Sequence, residues 1–278
     1  MTRNQIALRV LITTSMLPGL HGILAAHDGH GNQEEARRHY GQSAELGGGE
    51  IRTYVLLSKE KDEASGHKKP IEVGVEIPSA IMNKLPQEMR MLNFDFPIQA
   101  RDTPIQFMML DWNPTGHEPV GIYDRPHFDF HFYIQDFDEV MMIDPGNCSG
   151  LACDDFVRAR KPVPTPFLPA GYIDQGMVAP MMGNHLVDPT APEFHGKPFT
   201  RTFIYGSYDG QITFFEPMIT NESLMRESRE CTSVKLPQRY SETAYEPTEY
   251  CTEFDKDKQV IRVFLAGFVY RLAPVKGR

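Results

Sequence analysis

Residues 126–134 read Pro-His-Phe-Asp-Phe-His-Phe-Tyr-Ile, and this alternation of aromatic and polar side chains is typical of a β-strand. Successive side chains of a strand point to opposite faces. The aromatic face, which must be buried, carries Phe128, Phe130 and Phe132. The other face carries His127, Asp129, His131 and Tyr133. An ordinary surface strand would leave that face in water, but residues 105–110 are apolar on nearly both faces, which predicts that some strands of this sheet are covered on both sides.

The rest of the chain predicts a mainly β protein, either a single-domain β-barrel or a β-sandwich with a few short helices. Strand patterns, divided by Pro and Gly, occur at residues 51–57, 71–77, 105–112, 128–134, 201–205, 211–216 and 260–272. Asp209-Gly210 lies between two alternating runs and predicts a hairpin turn. Short helices are expected at 34–39, 79–85, 136–142 and 221–229, the last with Thr220 as N-cap.

Composition and charge narrow the function classes. The 278 residues include 28 Lys+Arg against 37 Asp+Glu, a net charge of −9, and no basic block that could bind a phosphate backbone. Nucleic acid is therefore not an expected partner. Dinucleotide-binding, Walker and Gly-x-Ser-x-Gly motifs do not occur in the sequence, so nucleotide enzymes and hydrolases of that type have no support.

The N-terminal region has the composition of an export signal. Two arginines precede an apolar stretch, and Ala25-Ala26 offers a cleavage site, so residues 1–26 predict a signal peptide. Residues 27–50 are polar and Gly-rich and predict a flexible arm before a single β-rich domain at 51–278. Since no other segment approaches the ~18 apolar residues of a membrane helix, we expect no stable membrane span and a secreted or periplasmic location.

Four cysteines fit an oxidising compartment. We expect the bridges Cys148–Cys153 and Cys231–Cys251, the second across a polar stretch where a covalent link would help most. A zinc site of four thiolates is the alternative, but neither pair has the usual Cys-x-x-Cys spacing.

The polar face of residues 127–133 is the best candidate for a metal site. Two imidazoles at i and i+4 of a strand stand roughly 13–14 Å apart, so His127 and His131 must lean inward to share an ion, and the sequence leaves open which of them is a direct ligand. The predicted metal ligands are His127, His131 and His185 with Glu118 or Glu216. The metal would be a divalent transition ion, with Zn, Fe, Mn and Cu all open. A hydrogen-bonded polar core or an exposed strand face is the alternative, and for Glu216 a strand end turned to solvent.

Three functions remain open at this point. The first is a secreted metal-binding protein that acts as a metal-dependent enzyme on a small molecule. Glu118 or Asp129 would then be the proton acceptor and Tyr133 an orienting donor. The second is a non-enzymatic carrier of a small ligand or metal, and the third is an assembly protein in which the cluster is structural. A small-molecule ligand and a homo-oligomer are both compatible with the sequence.

Several motifs resemble those of one family. They are Gly116-His117-Glu118-Pro119, Gly121-Ile122-Tyr123, residues 126–133, Met182-Gly183-Asn184-His185, Lys197-Pro198-Phe199, residues 202–210 and Phe215-Glu216-Pro217-Met218. On the basis of these motifs, the chain resembles a family of exported, mainly bacterial proteins of unknown function that takes its label from a thermophile protein. The resemblance covers about residues 50–225. The resemblance implies a single secreted β-rich domain with a His/Glu cluster suited to metal binding. It implies no particular reaction, and it does not extend to the Cys231–Cys251 region.

Overall fold

Two large antiparallel sheets and a small one form the framework of the protein. The computed structural model describes residues 37–145, 154–226 and 228–274. The six-stranded sheet contains, in spatial order, β1 (Arg38–Leu46), β2 (Gly49–Lys61), β3 (Lys68–Pro78), β14 (Val260–Ala266), β13 (Glu249–Asp255) and β11 (Glu230–Ser233). The seven-stranded sheet contains β4 (Arg90–Asp95), β5 (Phe107–Asn113), β6 (His127–Tyr133), β10 (Gln211–Thr220), β9 (Arg201–Tyr208), β8 (Gly183–Val187) and β7 (Ile173–Ala179). A third sheet pairs β12 (Ala244–Glu246) with β15 (Val269–Arg271).

Helices are few and short. They are α1 (Phe137–Met141), α2 (Asp154–Ala159), α3 (Asn221–Leu224) and the 3₁₀ segments Ser79–Asn83, Ile98–Ala100 and Pro192–His195. The Thr220 side chain accepts a hydrogen bond from the Ser223 backbone N–H, which confirms the predicted N-cap, but the helix ends at Leu224 and is shorter than the predicted 221–229. None of the helices in the described ranges has the length and apolar character needed to cross a bilayer.

The main hydrophobic core takes side chains from both large sheets. Phe128, Phe130 and Phe132 of β6 are fully buried in the same cluster as Val75 of β3 and Ile261 of β14. The predicted mainly β class and the buried aromatic face of β6 are therefore confirmed. Within the described residues, neither large sheet closes on itself as a barrel would, because the strand order of each ends in two different edge strands.

The opposite face of the six-stranded sheet holds buried ion pairs. Arg262, which is 3% exposed, donates from Nε to Glu76 Oε1 at 2.9 Å. Arg52 Nη2 donates to the other oxygen of Glu76, also at 2.9 Å. The Tyr54 hydroxyl donates to Glu72 at 3.0 Å. These bonds satisfy carboxylates that would be costly to bury alone.

The N-terminal part of this sheet corrects the predicted arm. Residues 38–46 form β1, paired antiparallel with β2, rather than a flexible segment or a helix over 34–39. Their polar side chains hid the strand because β1 lies at a sheet edge and is held by backbone hydrogen bonds to β2. The arm before residue 37 and the predicted signal peptide lie outside the described residues.

Two further predictions concern the C-terminal half. The run 260–272 divides at Gly267, where the chain leaves the six-stranded sheet and continues as β15 beside β12. Cys231 and Cys251 face each other across β11 and β13 and form the predicted disulfide. That bond removes both thiols from the alternative zinc site, while the Cys148–Cys153 pair lies outside the described residues.

Candidate metal centre

The polar face of β6 lies in the middle of the seven-stranded sheet. β5 and β6 pair so that Asp111 lies opposite Asp129 and Asn113 opposite His127. On the other side of β6, the neighbouring strand β10 contributes Glu216. β9 follows β10 in the sheet, and β8, the next strand after β9, contributes His185. His127, Asp129, His131 and Glu216 are all at most 4% exposed. The exposed-strand alternative and the solvent-turned Glu216 are therefore wrong, because these side chains are buried from solvent.

Three of the predicted ligands meet at one point. His131, His185 and Glu216, here called the glutamate triad, place one donor atom each within 4.8 Å of the others. His131 Nε2 is 3.3 Å from Glu216 Oε1, and His185 Nε2 is 3.9 Å from Glu216 Oε2. Ligands of a transition metal with bonds of ~2.1 Å stand about 3–3.5 Å apart, so a small closing movement brings the three donors to a common ion.

A second group lies at the other end of the same strand. His117, His127 and Asp129, here called the aspartate triad, also bring three donor atoms within 4.8 Å of one another. Asp129 Oδ1 is 3.0 Å from His127 Nε2, and Asp129 Oδ2 is 3.2 Å from His117 Nε2. The buried His/Asp/Glu groups are thus close enough to bind a metal. His127 and His131, however, belong to different groups, because the strand keeps residues i and i+4 apart.

A cavity of about 440 Å³ opens onto both triads. His117, Asp129, His131, His185 and Glu216 line it together with Asp111. Methionines 89, 177, 182 and 218 and the side chains of Tyr123 and Ile204 supply apolar wall. A small molecule could therefore reach donor atoms of either triad from one space.

Charges within the glutamate triad shift its pKa values. Burial disfavours the His131 imidazolium, but the charges of Glu216 and Asp111 outweigh burial and raise the pKa of His131 to about 9. Burial lowers the pKa of His185, with Glu216 opposing the shift. Burial also raises the pKa of Asp111 to about 7; the nearby carboxylates add to this rise and His131 opposes it. Asp111 therefore changes protonation state near neutral pH.

The aspartate triad is more strongly paired. Burial favours the neutral form of Asp129, but the positive charge of His127 and the hydrogen bond from His117 hold its pKa well below the usual range. Burial opposes the charge of His117, and the contacts with Asp129 nevertheless raise the pKa of His117 to about 9. Asn113 Nδ2 donates a further hydrogen bond to Asp129 Oδ2 at 2.8 Å. A carboxylate held in this way is a poor proton acceptor.

Two residues predicted for catalysis take other places. The side chain of Glu118 is exposed at the cavity and belongs to neither triad, while its backbone carbonyl accepts a hydrogen bond from His117 Nδ1 at 2.7 Å. The Tyr133 hydroxyl donates a hydrogen bond to the backbone carbonyl of Met181, in the turn before β8, at 2.9 Å. Its proton is therefore not directed at a ligand in the cavity. Neither side chain contributes a donor atom to the two triads of the described residues.

Two residues of the site, His117 and Asp111, were not predicted from the sequence. His117 stands beside Glu118 in the same short motif, which was a signal for it. Asp111 follows Met109 with the two-residue spacing of β5, and it faces the cluster because β5 pairs with β6 in that register. Pairing register is set by tertiary structure, so it could not be obtained from the spacing of Asp111 alone.

Comparison with known proteins adds no assignment to this geometry. No protein-family model, no curated protein and no solved structure matches the chain. The resemblance to an exported family stays a prediction from motifs, and the evidence on function is the arrangement of the donor atoms and the cavity.

Proposed function

We propose that this protein binds a divalent transition metal at the glutamate triad and presents it to a small molecule in the 440 Å³ cavity. The observation that carries the proposal is the convergence of His131, His185 and Glu216 at the wall of a cavity. Two imidazoles and one carboxylate suit Zn, Fe, Mn or Cu, whereas Mg and Ca prefer oxygen ligands.

The ring of His185 is oriented for such a role. Its Nδ1 lies 2.9 Å from the Met177 carbonyl, which can only accept, so Nδ1 carries the proton and Nε2 offers its lone pair towards Glu216. Fixing the outer ring nitrogen by a carbonyl is the usual way proteins orient a histidine ligand. Within the described residues, Glu216 Oε2 is buried with no hydrogen-bond partner, a costly state that a bound cation relieves.

His131 has a carboxylate behind it. Asp111 Oδ2 lies 4.0 Å from His131 Nδ1, and Nε2 faces Glu216. At this distance the two atoms make no hydrogen bond, so Asp111 would have to move closer to His131 Nδ1 to give the outer support common at metal centres. In the proposal, Asp111 replaces Asp129 and Glu118 as the proton acceptor, since Asp111 lines the cavity and titrates near neutrality.

Three protein ligands leave at least one coordination position for water or substrate. A small molecule in the cavity beside the triad would reach that position, which supports a metal-dependent enzyme over a purely structural site. A sandwich of the two large sheets would carry the site on the face of the seven-stranded sheet turned away from the shared core. Residues 1–26 and the Cys231–Cys251 disulfide support export to an oxidising compartment.

The test is elemental analysis of full-length protein purified without a His-tag. We expect a tightly held transition metal, and we expect His131→Ala with His185→Ala to lose one equivalent. His195→Gln is the matched control, because His195 is exposed and lies outside both triads and the cavity. Unchanged metal content in the double variant contradicts the proposal.

The open position is tested separately with the Co²⁺-substituted protein. Azide should shift the visible absorption of Co²⁺ by occupying the free position. A spectrum that azide leaves unchanged would mean a saturated ion and would favour the structural role.

A further inference from the structure

The aspartate triad has the features of a second ion site with its own ligands. Each imidazole in it is held by a backbone carbonyl: His117 Nδ1 lies 2.7 Å from the Glu118 carbonyl, and His127 Nδ1 lies 2.6 Å from the Arg125 carbonyl. A carbonyl oxygen can only accept, so both Nδ1 atoms carry protons. Both Nε2 atoms face Asp129: that of His117 makes a hydrogen bond with Asp129 Oδ2 in the ion-free protein, and a bound metal ion would displace its proton, whereas that of a neutral His127 presents a lone pair.

The contact between a neutral His127 and Asp129 brings two hydrogen-bond acceptors together. An ionised carboxylate has no proton to donate, and neither does the Nε2 of a neutral imidazole protonated at Nδ1. His127 Nε2 and Asp129 Oδ1 are only 3.0 Å apart. A cation between them, whether a proton or a metal ion, is needed to make such a contact favourable.

The direction of the His127 ring favours a metal ion over a proton. Although 3.0 Å separates the two atoms, neither His127 Nε2 nor Asp129 Oδ1 has a hydrogen-bond partner anywhere in the described part of the chain. The Nε2 lone pair therefore does not point at Oδ1. Two ligands of one ion point at the ion between them rather than at each other, so a short contact without a direct hydrogen bond is what a pair of metal ligands requires. Both residues are more than nine-tenths buried, so the unpartnered atoms are not satisfied by bulk solvent.

A hydrogen bond from Asn113 orients the Asp129 carboxylate, and the aspartate triad is accessible from the cavity. Asn113 donates to Asp129 Oδ2 at 2.8 Å and fixes the plane of the carboxylate. The His117 side chain is 35% exposed and, like Asp129, lines the cavity that reaches the glutamate triad. An ion can therefore enter from the cavity.

The two triads are separate centres. Asp129 and His131 are two residues apart on one strand face, about 7 Å along the strand, and neither triad contributes a ligand to the other. Bridged two-metal centres place their ions ~3.5–4 Å apart through shared ligands. The geometry here fits two mononuclear ions at one cavity.

We propose that His117, His127 and Asp129 bind a second divalent transition cation, independently of the glutamate triad. The imidazole-rich donor set favours Zn or Cu over Mg or Ca. The proposal goes beyond the first site and does not require that site to be loaded.

The experiment is a Co²⁺ titration of full-length protein stripped by a chelator, followed by visible absorption and elemental analysis. Wild type should take up two equivalents, His117→Ala one, His185→Ala one, and the combined variant none. Because His117 is part-exposed, His117→Ala should still fold, and urea unfolding of the Co²⁺-free protein checks this. Asp129→Asn provides an isosteric second test, with His195→Gln as the control.

The outcomes separate the two sites. Loss of one equivalent in His117→Ala supports the second site even if His185→Ala loses nothing, a result that would remove only the proposed function. Uptake of one equivalent by wild type, unchanged in folded His117→Ala and Asp129→Asn, overturns the second site and leaves the first in place.

Discussion

Gly206→Ala should damage the glutamate triad without touching a ligand. Gly206 in β9 lies between Phe214 of β10 and His185 of β8. A Cβ at Gly206 would come within 3.0 Å of three carbons of the Phe214 ring, closer than real Cβ contacts allow. Phe214 is fully buried, and its ring lies edge-on to His131 at 5.1 Å and near His185 at 5.5 Å.

The loss of unfolding free energy in Gly206→Ala depends on how far the Phe214 ring can move away from the new methyl group. Ordinary van der Waals contact begins at 3.4 Å, so the ring must retreat from the new methyl group. Tyr133, 5.1 Å away, and the two histidines surround it. Overpacking of this kind costs about 1–3 kcal/mol of unfolding free energy. The displaced ring also pushes on both imidazoles, so metal affinity should fall as well.

The assay is guanidinium unfolding of the chelator-treated protein, with metal content measured in parallel. Phe214→Leu, which removes the obstructing ring, is combined with Gly206→Ala in a double-mutant cycle. The double variant should be more stable than the sum of the single effects predicts, by about 1 kcal/mol. A Gly206→Ala variant as stable as wild type, or strictly additive costs, would refute the reasoning.

Three other predictions concern stability. Burial, strengthened by the charge of Glu242, raises the pKa of Glu246 to about 8, so unfolding free energy should fall as pH rises from 4.5 to 8, by at most about 5 kcal/mol. Urea unfolding at pH 5 and pH 8 should show this fall diminished in Glu246→Gln, and an equal fall in both proteins would count against it. Replacing Cys231 and Cys251 by Ser removes a covalent link between residues 20 positions apart and should lower the unfolding free energy by about 3 kcal/mol. Urea unfolding measures this, and an unchanged midpoint would mean that the disulfide does not stabilise the fold. Arg262→Met leaves the buried Glu76 carboxylate partly unpaired and should lower the unfolding free energy by about 3 kcal/mol. The double variant Arg262→Met with Glu76→Met should lose less, because no buried charge is left unpaired. A double variant that is less stable than Arg262→Met would contradict this reasoning.

Much of the fold could be predicted from local patterns. The alternation in β6, the Asp209-Gly210 turn of the β9–β10 hairpin and the Thr220 cap are local features, and the structure contains all three. Two of the β-strands that escaped prediction, β1 and β7, have half-buried or exposed residues along most of their length. Pairing with a neighbour defines such strands, and their own side chains carry little signal of it.

A local irregularity interrupts the alternation of side chains in β10. Spacing places Ile212, Phe214 and Glu216 on one face of a regular strand. A register shift between Ile212 and Phe214 breaks the alternation, so Ile212 packs on the main core while Phe214 packs with Tyr133 on the other side. Phe214 and Glu216 still share the face of the metal centre.

The residues 126–134 by themselves determined a strand with one aromatic and one polar face, because a period of two depends only on backbone geometry. They also determined that His127 and His131 stand far apart along it. Only the tertiary structure decided that the polar face is buried and that His131 joins His185 and Glu216 while His127 joins His117. The physical reason is that these partners come from other strands and a loop, and their approach depends on sheet register and on how the chain returns over the sheet, neither of which is encoded in the spacing of a single strand.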